Sequence, residues 1–359
     1  MDGTRNRFSL DETAAMVFFG ADLDNFLDNF WQADAYQLTG ILPDADQLIA
    51  PEEVLFAASS EHTESTLLTM PKEGSWELKS GPFETEEIEA LTSPYNLSVR
   101  GLEKMMPELK TVTEQLPFLP TWGREDLAFS YSGLRSPRGP YLNESDSFFF
   151  NVGPTLSFEY ARTSTVEVVN NLPVELVADF HPTNKLSLGT GDLLYLPPGF
   201  TYRFDGLLVM GISSHAPLRS ELLSDWLTAC PSNPRLQAQP KLHQGARISS
   251  EDVERTRDFL KDALLDPEFG SWFGRYLTAS EAKAVEPLDQ PVNVRQFKAE
   301  LNHAELLYRS PNVRWAFYDH EDPLLLVDGR AFRAPLEVAQ KIADNESFEI
   351  EELKGHESL

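Results

Sequence analysis

Cysteine is almost absent. Of 359 residues only Cys230 carries a thiol, which excludes an intrachain disulfide and a cysteine-rich metal site and makes a reducing compartment the natural setting. Basic residues are scarce too: 30 Lys and Arg stand against 57 Asp and Glu, for a net charge of −27. That balance argues against nucleic-acid or anionic-membrane binding and leaves a basic partner, or plain solubility, as its purpose. Nineteen acidic and five basic residues fall in positions 1–100, a net of −14, so an acidic face is expected in the N-terminal part. No stretch approaches the roughly 18 apolar residues of a membrane span. The opening MDGTRNRFSLDET has no apolar run behind its basic residues, so no signal peptide is expected and the cytoplasm is the expected location. No glycine-rich phosphate loop is present. Ser132, Ser213 and Ser214 lack the flanking elbow of a serine hydrolase and read as strand hydroxyls.

Apolar residues make up 41% of the chain and aromatics 11%, enough for more than one packed core. Three blocks are expected: residues 1–217, 218–290 and 291–359. In the first, Leu23, Phe26, Leu27, Phe30 and Trp31 recur at helical spacing, and Pro51-Glu52-Glu53 opens a second helix. Further helix is expected over Thr85 to Leu91 and Leu102 to Leu116. From Leu127 the texture changes to aromatic-rich strands at 127–132, 147–152 and 156–160, punctuated by Gly139-Pro140, Gly153-Pro154 and Pro197-Pro198-Gly199. Short strands with such turns suggest a closed or double-sheet antiparallel architecture. After Pro217 helices return: Ser250 caps one carrying Val253, Leu260 and Leu264, and Phe269, Trp272, Phe273, Tyr276 and Leu277 repeat on another. The last block reads as helix (Val294 to Leu307), a hairpin through Asp328-Gly329, and helix (Pro335 to Ala343), an order that fits a small winged-helix-like module.

Gly139-Pro140-Tyr141-Leu142-Asn143 followed by Asp146, and the string Gly191-Asp192-Leu193-Leu194-Tyr195-Leu196-Pro197-Pro198-Gly199-Phe200, resemble the JmjC-domain ribosomal oxygenases of bacteria. Supporting matches lie at Phe26-Leu27 with Phe30-Trp31, at Gly81-Pro82-Phe83-Glu84, and at Asp266-Pro267-Glu268-Phe269 with Trp272-Phe273-Gly274. The resemblance implies an α+β protein. Its core would be a double-stranded β-helix, or cupin barrel, with an N-terminal helical cover, a helical dimerisation segment and a C-terminal winged helix. The family's enzymes use Fe(II) and 2-oxoglutarate to hydroxylate an arginine of a large-subunit ribosomal protein.

The departures from that pattern fall on its chemistry. Such enzymes hold iron through two imidazoles and a carboxylate. The resemblance puts the family's His-x-Asp on Tyr141 and Asn143 and its distal His on Tyr202. A phenol whose free pKa is near ~10 stays neutral at working pH and asparagine brings no charge, so three weak donors replace the ligand set. The family's cation for the far carboxylate of 2-oxoglutarate falls on Leu156, with Arg162 and Arg203 as substitute cations. A relocated metal would have to use His320-Glu321-Asp322 with His356, His303-Ala304-Glu305, or His181 and His215. None of these has ligand spacing on barrel strands.

Phe129, Tyr131, Phe148, Phe150 and Tyr195 are expected to line the barrel cavity with Tyr141 and Tyr202, whose hydroxyls would bond Asn143 in place of a metal. The expected protein is therefore a non-catalytic binding or regulatory relative, homodimeric, without cofactor. It would recognise a basic segment such as part of a ribosomal protein or modulate an active paralogue. The alternative is an Fe(II)/2-oxoglutarate-type hydroxylase with a relocated metal or altered chemistry.

Overall fold

The computed structural model describes residues 22–72, 75–106, 109, 112–113, 116, 118–134, 138–163, 167–169, 172, 174, 176–214, 217, 219–229, 250–279, 293–301, 303–310, 313–345 and 347–349. The opening segment, Cys230, His215 and His356 lie outside them. The chain divides into two compact units, Met1–Ala216 and Pro217–Leu359.

The first unit begins with α1 (Leu23–Asn29), β1 (Tyr36–Leu38), the single turn α2 (Ala45–Leu48) and α3 (Pro51–Ala58). Proline opens α3, where its missing N–H costs nothing, and the Glu53 carboxylate accepts the Ala50 N–H at 2.7 Å. Then come β2 (Glu64–Lys72), β3 (Ser75–Ser80), α4 (Thr85–Glu89) and β4 (Tyr95–Arg100). The helical cover expected here thus also contains sheet, and the helix expected over Leu102 to Leu116 starts as a 3-10 turn that ends at Lys104. Eight strands follow: β5 (Ala128–Tyr131), β6 (Arg138–Asn143), β7 (Ser147–Asn151), β8 (Leu156–Arg162), β9 (Asn184–Leu188), β10 (Leu193–Leu196), β11 (Phe200–Asp205) and β12 (Leu208–Ser213).

These strands form two antiparallel sheets, an eight-stranded one in the order β1-β10-β7-β12-β5-β4-β2-β3 and a four-stranded one in the order β6-β11-β8-β9. Every residue of β7 and β10 is buried, as expected of strands covered on both faces. Alternation divides the larger sheet's side chains between two cores. Phe129, Phe148, Phe150, Tyr195, Met210 and Ile212 pack outward with Phe26, Val54, Leu55 and Ile88 of the helical layer. Phe149, Leu194, Leu196 and Val209 point the other way, against Leu156, Phe158, Leu188, Phe200 and Phe204 of the smaller sheet.

A polar clamp ties the turn after α1 to the barrel. Gln32, in a left-handed turn at φ 56°, donates its N–H to the Tyr195 hydroxyl at 2.8 Å and its amide to Asp146 at 3.2 Å, and the Tyr195 hydroxyl donates to Asp146. The Gly-Asp turn of the sequence string is explained as well. Asp192 accepts the N–H groups of Gly40 (2.8 Å) and Gly189 (2.7 Å), and Gly191 has φ 81° with a carbonyl 2.4 Å from where a Cβ would stand.

Glu103 gives this unit a pH-dependent weakness. One carboxylate oxygen accepts the Leu127 N–H at 3.2 Å; the other is buried without a partner among the described residues. Burial, with Asp126 adding to it, pushes the carboxyl up to about 7. A carboxyl with a raised folded pKa binds its proton more tightly when folded, so stability falls as pH rises from its unfolded value toward 7. Denaturant titrations from pH 4 to 8 should show that fall, at most on the order of 3 kcal/mol. Glu103→Gln should flatten the profile and raise stability at pH 8.

The second unit contains α5 (Arg219–Ala229), α6 (Ser250–Leu264), α7 (Glu268–Thr278), α8 (Val294–Leu301), β13 (Leu306–Tyr308), β14 (Trp315–Tyr318), β15 (Leu324–Val327), β16 (Arg330–Arg333), α9 (Leu336–Asp344) and β17 (Ser347–Glu349). The helix expected to reach Leu307 ends at Leu301, because Leu306–Tyr308 pairs with β17. The Asp328-Gly329 hairpin is present, with φ 48° and 73° at its two turn residues. α7 lies on the sheet β14-β15-β16. Cβ atoms at its Gly270 and Gly274 would stand 2.4 Å from the Tyr318 hydroxyl and from Leu326 Cδ1, so one turn of glycines forms the groove that receives these side chains. The aromatic face of α7 is used within the chain: Trp226 of α5 meets Phe269 at 5.2 Å and Trp272 at 5.1 Å.

Candidate functional site

β6 and β11 run antiparallel in a register that sets Tyr141 opposite Tyr202 and Asn143 opposite Phe200. The two tyrosine rings lie 5.4 Å apart. Tyr202 also contacts Phe149 at 4.9 Å and stacks on Phe158 at 5.6 Å, and Phe158 stacks on Phe204 at 5.6 Å. The interior between the sheets is thus occupied by an aromatic stack. Burial lifts the Tyr141 phenol to about 12 against the opposing pull of Arg138 and Asn96, and burial with the neighbouring Tyr141 raises Tyr202. Both are neutral hydroxyls at pH 7.

Asn143 does not bond the tyrosines. Its amide N–H groups face three carbonyl oxygens, those of Ser145 (2.6 Å), Leu196 (2.9 Å) and Pro197 (3.0 Å), and its own oxygen accepts the Ser147 hydroxyl at 2.8 Å. Its side chain braces the Pro197-Pro198-Gly199 turn. The Tyr141 hydroxyl instead accepts from Asn96 at 3.3 Å.

The expected cavity lining is out of phase by one residue. Phe129, Tyr131, Phe148, Phe150 and Tyr195 belong to the core beneath the helical layer; the barrel side is taken by Phe149, Phe158, Tyr160, Phe200 and Phe204 with the two tyrosines. A strand buried on both faces gives no alternation of polar and apolar residues from which to set its phase.

Leu156 is buried among the barrel side chains. Arg162 is exposed, bonds the Ala33 carbonyl and lies over the Phe200 ring, and Arg203 pairs with Glu159 at 3.0 Å. The cation that does enter the barrel is Arg138, only 2% exposed, with its guanidinium 4.5 Å above the Phe204 ring. The register shift that carries the pairing from Tyr202–Tyr141 to Phe204–Arg138 inserts an extra residue on β6, and the Gly139-Pro140 pair provides it with Gly139 at φ 100°. The bulge puts Arg138 on the face of Tyr141. A Gly-Pro pair inside a strand was the sequence signal for it.

His181 is exposed and pairs with Asp179 at 3.1 Å, His320 stacks on Tyr318 at 5.3 Å, and His303 lies in the turn after α8. Among the described residues no group of three or more His, Cys, Asp and Glu side chains is placed to hold a metal ion, and no helix is long and apolar enough to cross a membrane. A groove of about 580 Å³ is lined by Thr163, Glu167, Asp179, His181, Thr183 and Thr201. It opens on the outer face of the smaller sheet, since Thr201 alternates with the inward Phe200 and Tyr202.

No family model matches the chain. It is 23% identical over 309 residues to the ribosomal protein uL16 3-hydroxylase of Escherichia coli strain K12, covering 81% of this chain and 80% of that protein. A crystal structure of E. coli YcfD superposes with a TM-score of 0.74 at 22% identity, covering 92% of this chain and 91% of that one. The structure of YcfD, a ribosomal oxygenase, in complex with cobalt and 2-oxoglutarate superposes with a TM-score of 0.71 at 22% identity, over 90% and 89%. The chain is homologous to this ribosomal oxygenase and has its JmjC/cupin fold.

Proposed function

We propose that the chain is a non-catalytic binding or regulatory protein of the cytoplasm, built on the ribosomal-oxygenase scaffold. The observation that carries this is the fate of the three positions where such enzymes bind iron. Tyr141 and Tyr202 are neutral phenols packed into an aromatic stack, and Asn143 spends its amide on backbone carbonyls. Fe(II) favours imidazole and carboxylate donors with open positions for its cosubstrate, and these side chains do not suit it. Leu156, at the family's cosubstrate cation, supports the same conclusion. The net charge of −27 favours a basic protein segment, such as part of a ribosomal protein, as partner. Binding of ribosomal-protein peptides to the metal-free chain, measured by fluorescence anisotropy, is expected to weaken with salt and to be unaffected by EDTA. Binding that requires Fe(II) or Mn(II) would contradict it.

A homodimer formed through the helical segment 218–290, next to a winged-helix-like module, belongs to the same proposal. Trp272 is 5% exposed inside its own unit, so a charge there would unfold rather than dissociate the protein. The free apolar surface is on other helices: Leu223 and Leu227 of α5 are 47% and 56% exposed, and Val253, Leu260 and Leu264 line α6. Leu223→Glu with Leu227→Glu is expected to convert a dimer to a folded monomer in sedimentation velocity. An unchanged sedimentation coefficient would count against this surface.

A further inference from the structure

The eight-stranded sheet ends at β3, and among the described residues no strand pairs with its other side. Register and hydrogen bonds decide which backbone groups face that free edge. Gly81 donates its N–H to the Ser65 carbonyl at 2.8 Å, continuing the pairing that sets Thr66 on Ser80, Leu67 on Lys79 and Thr69 on Glu77. On the other side of β2, Met70 donates to the Pro94 carbonyl at 3.0 Å. Thr66, Leu68 and Met70 thus face β4, and Ser65, Leu67 and Thr69 face β3. Glu77 and Lys79 therefore direct their N–H and C=O groups to β2, while Trp76, Leu78 and Ser80 present theirs outward.

Edge strands are usually protected from pairing by proline, a bulge or unmatched charge. Trp76 to Ser80 contains no proline, and the register shift nearby adds its extra residue to β2 rather than to β3. Charge is present but matched. Glu77 and Lys79 are both exposed on one face, and Trp76 and Leu78 are half-buried on the other. Lys79 meets Glu87 at 3.9 Å, with the two side chains 60% and 48% exposed, a contact too weak to hold it.

We infer that β3 is a self-association edge, at which a second copy of the chain adds its own β3 antiparallel about a two-fold axis at Leu78 and joins the two large sheets. Leu78 exchanges hydrogen bonds with its own counterpart and Trp76 with Ser80 of the second copy, up to about six bonds in all. Glu77 then lies opposite Lys79 of the second copy, and Lys79 opposite its Glu77, in the non-hydrogen-bonded positions where side chains come closest. The neighbouring registers that keep N–H facing C=O set Glu77 on Glu77 or Lys79 on Lys79, so like charges oppose both slips. On the other face Leu78 meets Leu78 with Trp76 diagonal to it, extending the apolar surface begun by Leu68, which is paired with Leu78 and 3% exposed. One strand pair buries less than the roughly 1,200 Å² of a stable interface, so this association is weak and belongs to high protein concentration. It is separate from the helical surface at Leu223 and Leu227 and from the basic partner proposed above.

The test is sedimentation equilibrium of the full chain between about 10 and about 500 µM, the range in which a small interface associates. The quantity compared is the rise in average mass with concentration, in which association through the helices is common to every variant. Lys79→Glu and Glu77→Lys, both at exposed positions, should each fold normally and associate about tenfold more weakly than wild type. Mixed in equal amounts they should associate as wild type does, because each supplies the charge that the other lacks. The chain carrying both substitutions should regain self-association. Single variants that associate like wild type, or a mixture no stronger than its two components apart, would overturn the pairing.

Discussion

Asn143→Asp, which puts a carboxylate at the position proposed to match an iron ligand of the ribosomal oxygenases, should lower stability by about 3–5 kcal/mol at pH 7, as expected for a buried charge left without its hydrogen-bond partners. The reason is local. The Asn143 amide faces the carbonyl oxygens of Ser145, Leu196 and Pro197 at 2.6 to 3.0 Å. A carboxylate there would set negative charge against three acceptors in a buried position. Asn143→Ala, which leaves the carbonyls unsatisfied but adds no charge, should cost about 1–3 kcal/mol. Part of the aspartate penalty should disappear as pH falls, since the protonated acid regains a donor. Urea denaturation of the three proteins at pH 7 and pH 4 separates these terms. An aspartate variant as stable as wild type would mean that the position still accepts a metal-ligand side chain.

Phe158→Ala should cost about 3–5 kcal/mol, the range for deleting a buried aromatic from a packed core. Phe158 is 0% exposed and lies between Phe149 at 5.4 Å, Tyr202 at 5.6 Å and Phe204 at 5.6 Å. In a barrel that keeps an open cosubstrate chamber, its ring would border solvent and its removal would be mild. The size of the loss, measured by chemical denaturation, therefore reports whether the interior is a core or a cavity. A loss below about 1 kcal/mol would place it with a cavity wall.

The fold was legible where a residue type has one structural use. Pro51 opened a helix, Asp328-Gly329 a hairpin, and Gly191-Asp192 a turn whose carboxylate ties two loops together. β2, β3 and β4 were missed as sheet, although Tyr95, Leu97 and Val99 of β4 alternate with Asn96, Ser98 and Arg100 in the period of a strand. At the site, the sequence put Tyr141 and Tyr202 together correctly, since a fixed register between β6 and β11 aligns them. It placed Phe148, Phe150 and Tyr195 on the wrong side because β7 and β10 are apolar throughout, and a one-residue slip there changes every face. It gave Arg138 no role, because a bulge at Gly139-Pro140 changes which way the residue before it points. Arg162 and Arg203 were visible as cations, but their partners, the Ala33 carbonyl and Glu159, are set by tertiary contacts.

The most direct test of the central claim is a calorimetric titration of the purified full chain with Mn(II), in the presence and absence of 2-oxoglutarate. The proposed non-catalytic role predicts no saturable Mn(II) binding and no 2-oxoglutarate binding that depends on Mn(II). Tight binding of Mn(II) and 2-oxoglutarate, each dependent on the other, would contradict it and return the chain to the catalytic members of its fold.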